Sequence, residues 1–216
     1  MKFQNAFEGV KKIFAAEILS LIGSVCATVM LALSVGALIS AANSSATGAA
    51  ASLGGMAVLV VAVTVLAIIA FIFKLIGVIK ASKDEPSFKV VLYLIIAGIV
   101  VSVVSGIFSG NATVKGIASI LNDLVNLGIT VYIIQGIKNL AAKLGDENMV
   151  KKGDTIFKYI LAIYILVIIA QIVSLILQNT TGLIIVLVII VISGILNVIQ
   201  YFLYLGYLSK AKKMLA

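Results

Sequence analysis

Six apolar runs, each long enough to cross a bilayer as a helix, govern what this chain can fold into. They cover residues 13–41, 53–79, 90–108, 113–137, 156–177 and 183–208. About 20 helical residues span a hydrocarbon core of about 30 Å. The runs do not alternate apolar with polar residues as barrel strands do, so each must close its own backbone hydrogen bonds as a helix. Composition agrees: of 216 residues, 62% are hydrophobic and 11% charged, with a mean hydropathy of +1.26. Soluble domains hold roughly 45–50% and about 25%. A soluble enzyme, a disordered chain and a secreted disulfide scaffold are excluded, because so much apolar surface would aggregate in water. The expected fold class is all-α: a polytopic integral membrane protein with six transmembrane helices arranged as three helical hairpins.

The charged residues orient these spans. All 16 basic residues are lysine. Lys2, Lys11 and Lys12 precede the first run, and Lys74, Lys80, Lys83 and Lys89 surround the second connection. Lys138, Lys143, Lys151, Lys152 and Lys158 surround the fourth, and Lys210, Lys212 and Lys213 follow the last run. Only Lys115 falls on the other side. The positive-inside rule then predicts that both termini are cytoplasmic. Lysines at the ends of apolar runs orient a membrane protein, so the net charge of +8 does not indicate nucleic acid as a partner.

The first run is far longer than a signal-peptide core of about 7–15 residues, and it reads as an uncleaved anchor. Glu8 and Glu17 flank or enter it. Ahead of it, Phe3, Phe7, Val10 and Phe14 recur at three- and four-residue steps. That spacing predicts a short amphipathic helix at the inner interface, residues 1–12, before a single six-helix domain, residues 13–216.

An internal repeat divides that domain at about 13–84, 85–144 and 150–216. Each part opens with an aromatic residue or lysine near an apolar run: Lys12 and Phe14, Phe88 and Lys89, Phe157 and Lys158. Each turns at an Asn-x-Ser/Thr triplet, beginning at Asn43, Asn111 and Asn179. Each closes on a glycine followed by a lysine: Gly77 and Lys80, Gly136 and Lys138, Gly206 and Lys210. Asn, Thr and Gly are also ordinary turn and cap residues, which supplies a plainer explanation of the same punctuation. The triplets are glycosylation acceptors only in a eukaryotic secretory context, and the Arg-free, Lys- and Ile-rich composition points to the plasma membrane of a bacterium.

Small residues mark helix-packing faces. Ser20, Ser24, Thr28, Ala32, Gly36 and Ser40 fall every fourth residue in the first run, as do Gly98, Ser102, Gly106 and Gly110 in the third. Residues four apart share a helix face, and small ones let two backbones approach closely. A path lined by hydroxyls is the functional alternative for the same stripes.

The fourth run carries the chemistry. Lys115, Ser119, Asn122, Asp123, Asn126 and Thr130 share one face. Asp123 lies about 12 Å along the helix from Lys115 at 1.5 Å per residue. An intramembrane carboxylate is costly and marks a functional site by default. The fifth run adds Tyr164, Gln171, Ser174 and Gln178, and the sixth Ser193, Asn197, Gln200, Tyr204 and Tyr207. The expected substrate-binding set is Asp123, Asn122, Asn126, Ser119, Gln171, Asn197 and Gln200, on polar faces that the last three helices turn towards one another. The competing view makes these amides interhelical glue, worth about 0.6 kcal/mol each on average.

No catalytic set emerges. His, Arg and Trp are absent, which removes imidazole chemistry, histidine metal sites and bidentate guanidinium clamps. The single cysteine, Cys26, sits in an apolar run and reads as a packing residue, with a reactive thiol or lipidation site as the alternative. The expectations are no enzymatic activity, no cofactor and no metal. The functional expectation is a small-solute transport component or substrate-binding membrane subunit. Its partners would be the lipid bilayer and a membrane protein, a transporter subunit or a second copy. The alternative is a non-catalytic scaffold that docks partner helices through the small-residue stripes. In length and layout alone the chain resembles the substrate-binding membrane subunits of energy-coupling-factor transporters. Mitochondrial carriers also contain three two-helix repeats, but their Pro-x-acidic-x-x-basic signature is absent, since the only proline, Pro86, lies between runs.

Overall fold

The computed structural model describes the backbone of residues 2–42, 46–108, 110, 112–176 and 180–216. Side chains are described for the same residues apart from 31, 32, 35–42, 46–58, 112, 170, 171, 174–176, 180–191 and 193. Six helices occupy the described residues: α1 (Gln4–Ala42), α2 (Ala46–Ala81), α3 (Ser87–Ile107), α4 (Ala112–Leu144), α5 (Glu147–Ile176) and α6 (Thr180–Leu215). Each grows from one apolar run. Among the described residues, four segments are long and apolar enough to cross a membrane: Gln4–Met30, Leu59–Ala81, Ser87–Ile107 and Thr113–Leu144. Their outward faces carry Val61, Ile68, Ile96, Val100 and Ile107, all exposed, as lipid-facing surface requires. The chain has the build of a helical membrane protein. The Asn residues that begin the three expected outer turns lie outside the described residues.

Residues 4–12 of the amphipathic segment and the first apolar run share one helix, because α1 runs unbroken from Gln4. Nothing between residues 4 and 13 breaks a helix, since Gly9 alone costs only about 1 kcal/mol.

The chain divides into two compact units, Met1–Val10 with Val78–Ala216, and Lys11–Gly77. In the first, α3 packs on α4, α4 on α5 and α5 on α6, while α4 and α6 touch only narrowly. Glycines set the α3–α4 approach. Phe88 lies against Gly136, Leu94 against Gly128, and Gly98 against Val125, so the two helices run antiparallel. A Cβ on Gly136 would fall 2.6 Å from the buried Phe88 ring. Of the α3 stripe, Gly98 serves this contact, while Ser102 and Gly106 remain exposed.

A two-residue junction joins α4 to α5. Gly145 adopts φ +77°, the left-handed conformation that only glycine enters without strain. Its N–H donates to the Ala142 carbonyl and that of Asp146 to Ala141, which closes α4 with a Schellman motif. Asp146 Oδ1 then accepts from the Met149 N–H at 3.0 Å and caps α5.

In the second unit, Glu17 on α1 is buried and pairs with Lys74 on α2 at 2.9 Å. Lys12 lies 5.4 Å from the centre of the Phe73 ring. The exposed hydroxyls of the α1 stripe bond within their own helix: Ser24 donates to the Leu21 carbonyl and Thr28 to that of Ser24.

Candidate functional site

The α4 stripe lies well inside a helix of 33 residues, about 50 Å long at 1.5 Å per residue. Ser119 and Asn126 are exposed, and Asn122 and Asp123 are half-buried. Thr130 Oγ1 donates to the Asn126 carbonyl at 3.0 Å, so that hydroxyl serves its own helix. On α6, Asn197 is exposed, whereas Gln200 is buried. The Gln200 Oε1 accepts no hydrogen bond from the described residues. The side chain of Gln171 lies outside the described residues, as do Gln178 and the side chains of Ser174 and Ser193. The structure thus gathers Ser119, Asn122, Asp123 and Asn126 on one helix and Asn197 with Gln200 on another. α5 packs against both of these helices.

A second polar cluster, at the lysine-rich end of the first unit, is absent from the expected set. Glu85, in the α2–α3 connection, is 3% exposed. Its Oε2 accepts from Lys143 Nζ at 2.7 Å, and its Oε1 from Asn139 Nδ2 at 2.9 Å and Ser87 Oγ at 3.0 Å. Gln135 completes the row, donating to Asn139 Oδ1 at 2.9 Å. Burial alone would raise the Glu85 carboxyl. The hydrogen bonds from Lys143, Asn139 and Ser87, with the Lys143 charge, outweigh that and hold it below its ordinary value. The available signal was the four-residue spacing of Gln135, Asn139 and Lys143 on α4. The partner connection was not recoverable from that spacing.

Neighbouring ion pairs extend the cluster. Asp84 Oδ2 accepts from the Ala6 N–H at 2.7 Å and its Oδ1 from Asn5 at 3.0 Å, so it caps the start of α1. A carboxylate there satisfies an open N–H and opposes the helix dipole. Lys80 pairs with Glu8, and Lys138 with Asp154. Chemically, the acids Asp84, Glu85, Asp146 and Asp154 at this end serve in ion pairs and caps that fix helix ends. The α4 stripe and Gln200 instead present carboxylate, amide and hydroxyl groups along the middle of α4 and α6.

No protein-family model, curated protein or solved structure matches this chain.

Proposed function

We propose that this membrane protein is a small-solute transport component, or the substrate-binding membrane subunit of one, working through the polar groups around Asp123. The observation that carries this reading is Gln200. Its buried carbonyl oxygen has no donor among the described residues, and an unfilled buried acceptor costs about 1–3 kcal/mol. A solute bearing a hydroxyl or ammonium group would fill it. Asp123 supplies the charge that recognises a cation or carries a proton, and Asn122, Asn126, Ser119, Gln171 and Asn197 supply further polar contacts. The reading involves no catalytic step and no cofactor. It places both termini on the cytoplasmic side of a bacterial plasma membrane, supported by the distribution of lysines.

Asp123→Asn tests it. Folding and oligomeric state should persist, while uptake into proteoliposomes and thermal stabilisation by members of a metabolite panel should vanish. If neither changes, the transport reading falls. Orientation is tested with Lys143→Cys in a Cys26→Ala background, where labelling from outside intact cells would reverse the topology.

A scaffold that docks partner helices is the second reading. It is favoured by the exposed Ser102 and Gly106 of α3, where a Cβ on Gly106 would meet nothing within 4 Å. Under it, Asp123→Asn would release a co-purifying membrane partner.

A further inference from the structure

A groove of about 340 Å³ runs between α5 and α6 at the lysine-rich end. Its walls change character along their length. Lys152 and Lys210 stand at one end, Thr155 and Tyr207 follow, and Ile156, Phe202 and Leu203 continue into the apolar part. From Lys210 to Phe202 is about 12 Å along α6 at 1.5 Å per residue. Gly206 faces open space in the middle, where a Cβ would meet nothing within 4 Å.

We propose that this groove binds an anionic phospholipid, with its phosphate between Lys152 and Lys210 and the start of an acyl chain along Phe202 and Leu203. Charge complementarity is the first argument. The lining holds two lysines and no carboxylate. The nearby acids are occupied, Asp154 by Lys138 and Asp146 by the Met149 N–H. The two amines lie close enough that Lys152, donating to a neutral Lys210 amine and repelling its charged form, draws Lys210 below its ordinary value. A phosphodiester between them would remove that repulsion. The second argument selects a lipid over a soluble phosphate. Phe202 is 59% and Leu203 44% exposed, so the groove opens onto the apolar outer surface and is reached sideways from the bilayer. Basic pockets between membrane helices are established sites for anionic headgroups.

The test uses the full chain in neutral detergent, titrated with phosphatidylglycerol or phosphatidylcholine of identical acyl chains. Bound lipid is counted by native mass spectrometry, and the unfolding midpoint is followed in parallel. The wild type should bind phosphatidylglycerol at least fivefold more tightly. The double variant Lys152→Gln, Lys210→Gln should lose that preference, whereas Lys158→Gln, an exposed α5 residue outside the lining, should keep it. Leu203→Trp, which fills the apolar part, should weaken both lipids. Should the double variant not fold, Lys210→Gln alone carries the same test, because that side chain is exposed. An unchanged preference in the lysine variants, or an equal loss in Lys158→Gln, would overturn the proposal. So would inorganic phosphate giving the same midpoint shift as the lipid.

Discussion

The lysine-rich end of the first unit and the middle of α4 both carry acids, and they use them differently. At the end, Glu85 is enclosed by Lys143, Asn139 and Ser87, Asp84 caps α1, Asp154 meets Lys138, and Asp146 caps α5. Each of these carboxylates holds together two elements or starts a helix. In the middle, Asp123 stays half-buried between the exposed Ser119 and Asn126. The end cluster uses charge to pair and cap helices, whereas Asp123 sits inside the apolar run of α4, away from those ends. A carboxylate inside an apolar helix is costly, and that cost makes Asp123 the functional candidate.

Four experiments would break or sharpen this contrast. The largest effect should come from Gly136→Leu, which drives a side chain into the Phe88 ring and should destabilise the protein by about 3 kcal/mol in detergent unfolding. Lys143→Met should follow at about 2 kcal/mol. It leaves the buried Glu85 carboxylate without its cation, and the half-exposed position of Lys143 keeps the loss below that of a fully buried pair. Acid should act on the same group. A carboxyl held below its ordinary 4.5 stabilises the fold above that pH, and the benefit is lost as pH falls from 4.5 through the lowered native value. The unfolding midpoint of the wild type should therefore drop further between pH 6 and pH 3 than that of Glu85→Gln, and parallel curves would count against the Glu85 network. The smallest effect should belong to Asp123→Asn, within about 0.5 kcal/mol of wild type. A loss as large as that of Lys143→Met would erase the distinction between the two regions.

Much of the fold was legible because it depends on local pattern. The apolar runs became the six helices, while the α4–α5 junction at Gly145 and Asp146 falls beyond the closure expected at Gly136 and Lys138. The lysines marked the helix ends that meet in the first unit. The α1 start was less legible, since an amphipathic opening and an apolar span share one helical period with no breaker between them. What the sequence could not reveal was tertiary register. Asn197 and Gln200 are both amides on α6, yet one is exposed and the other buried. Their difference depends on how α6 is rotated against its neighbours, and polar residues several steps apart do not encode that rotation. Glu85 was hidden for the same reason. Its partners lie 54 and 58 residues away on α4, and in sequence it belongs only to a short run of mixed charge.

The Asp84 cap on α1 carries a consequence for biosynthesis. The Ala6 N–H waits for a carboxylate 78 residues further along the chain. A ribosome releases residues in order, at about 5–20 per second. The opening turn of α1 therefore emerges several seconds before its cap, and all of α2 must be made before Asp84 can return to it. Completion of the first turn thus waits on the synthesis of both α1 and α2. A chain stalled before Asp84 would leave that turn frayed and open to proteolysis.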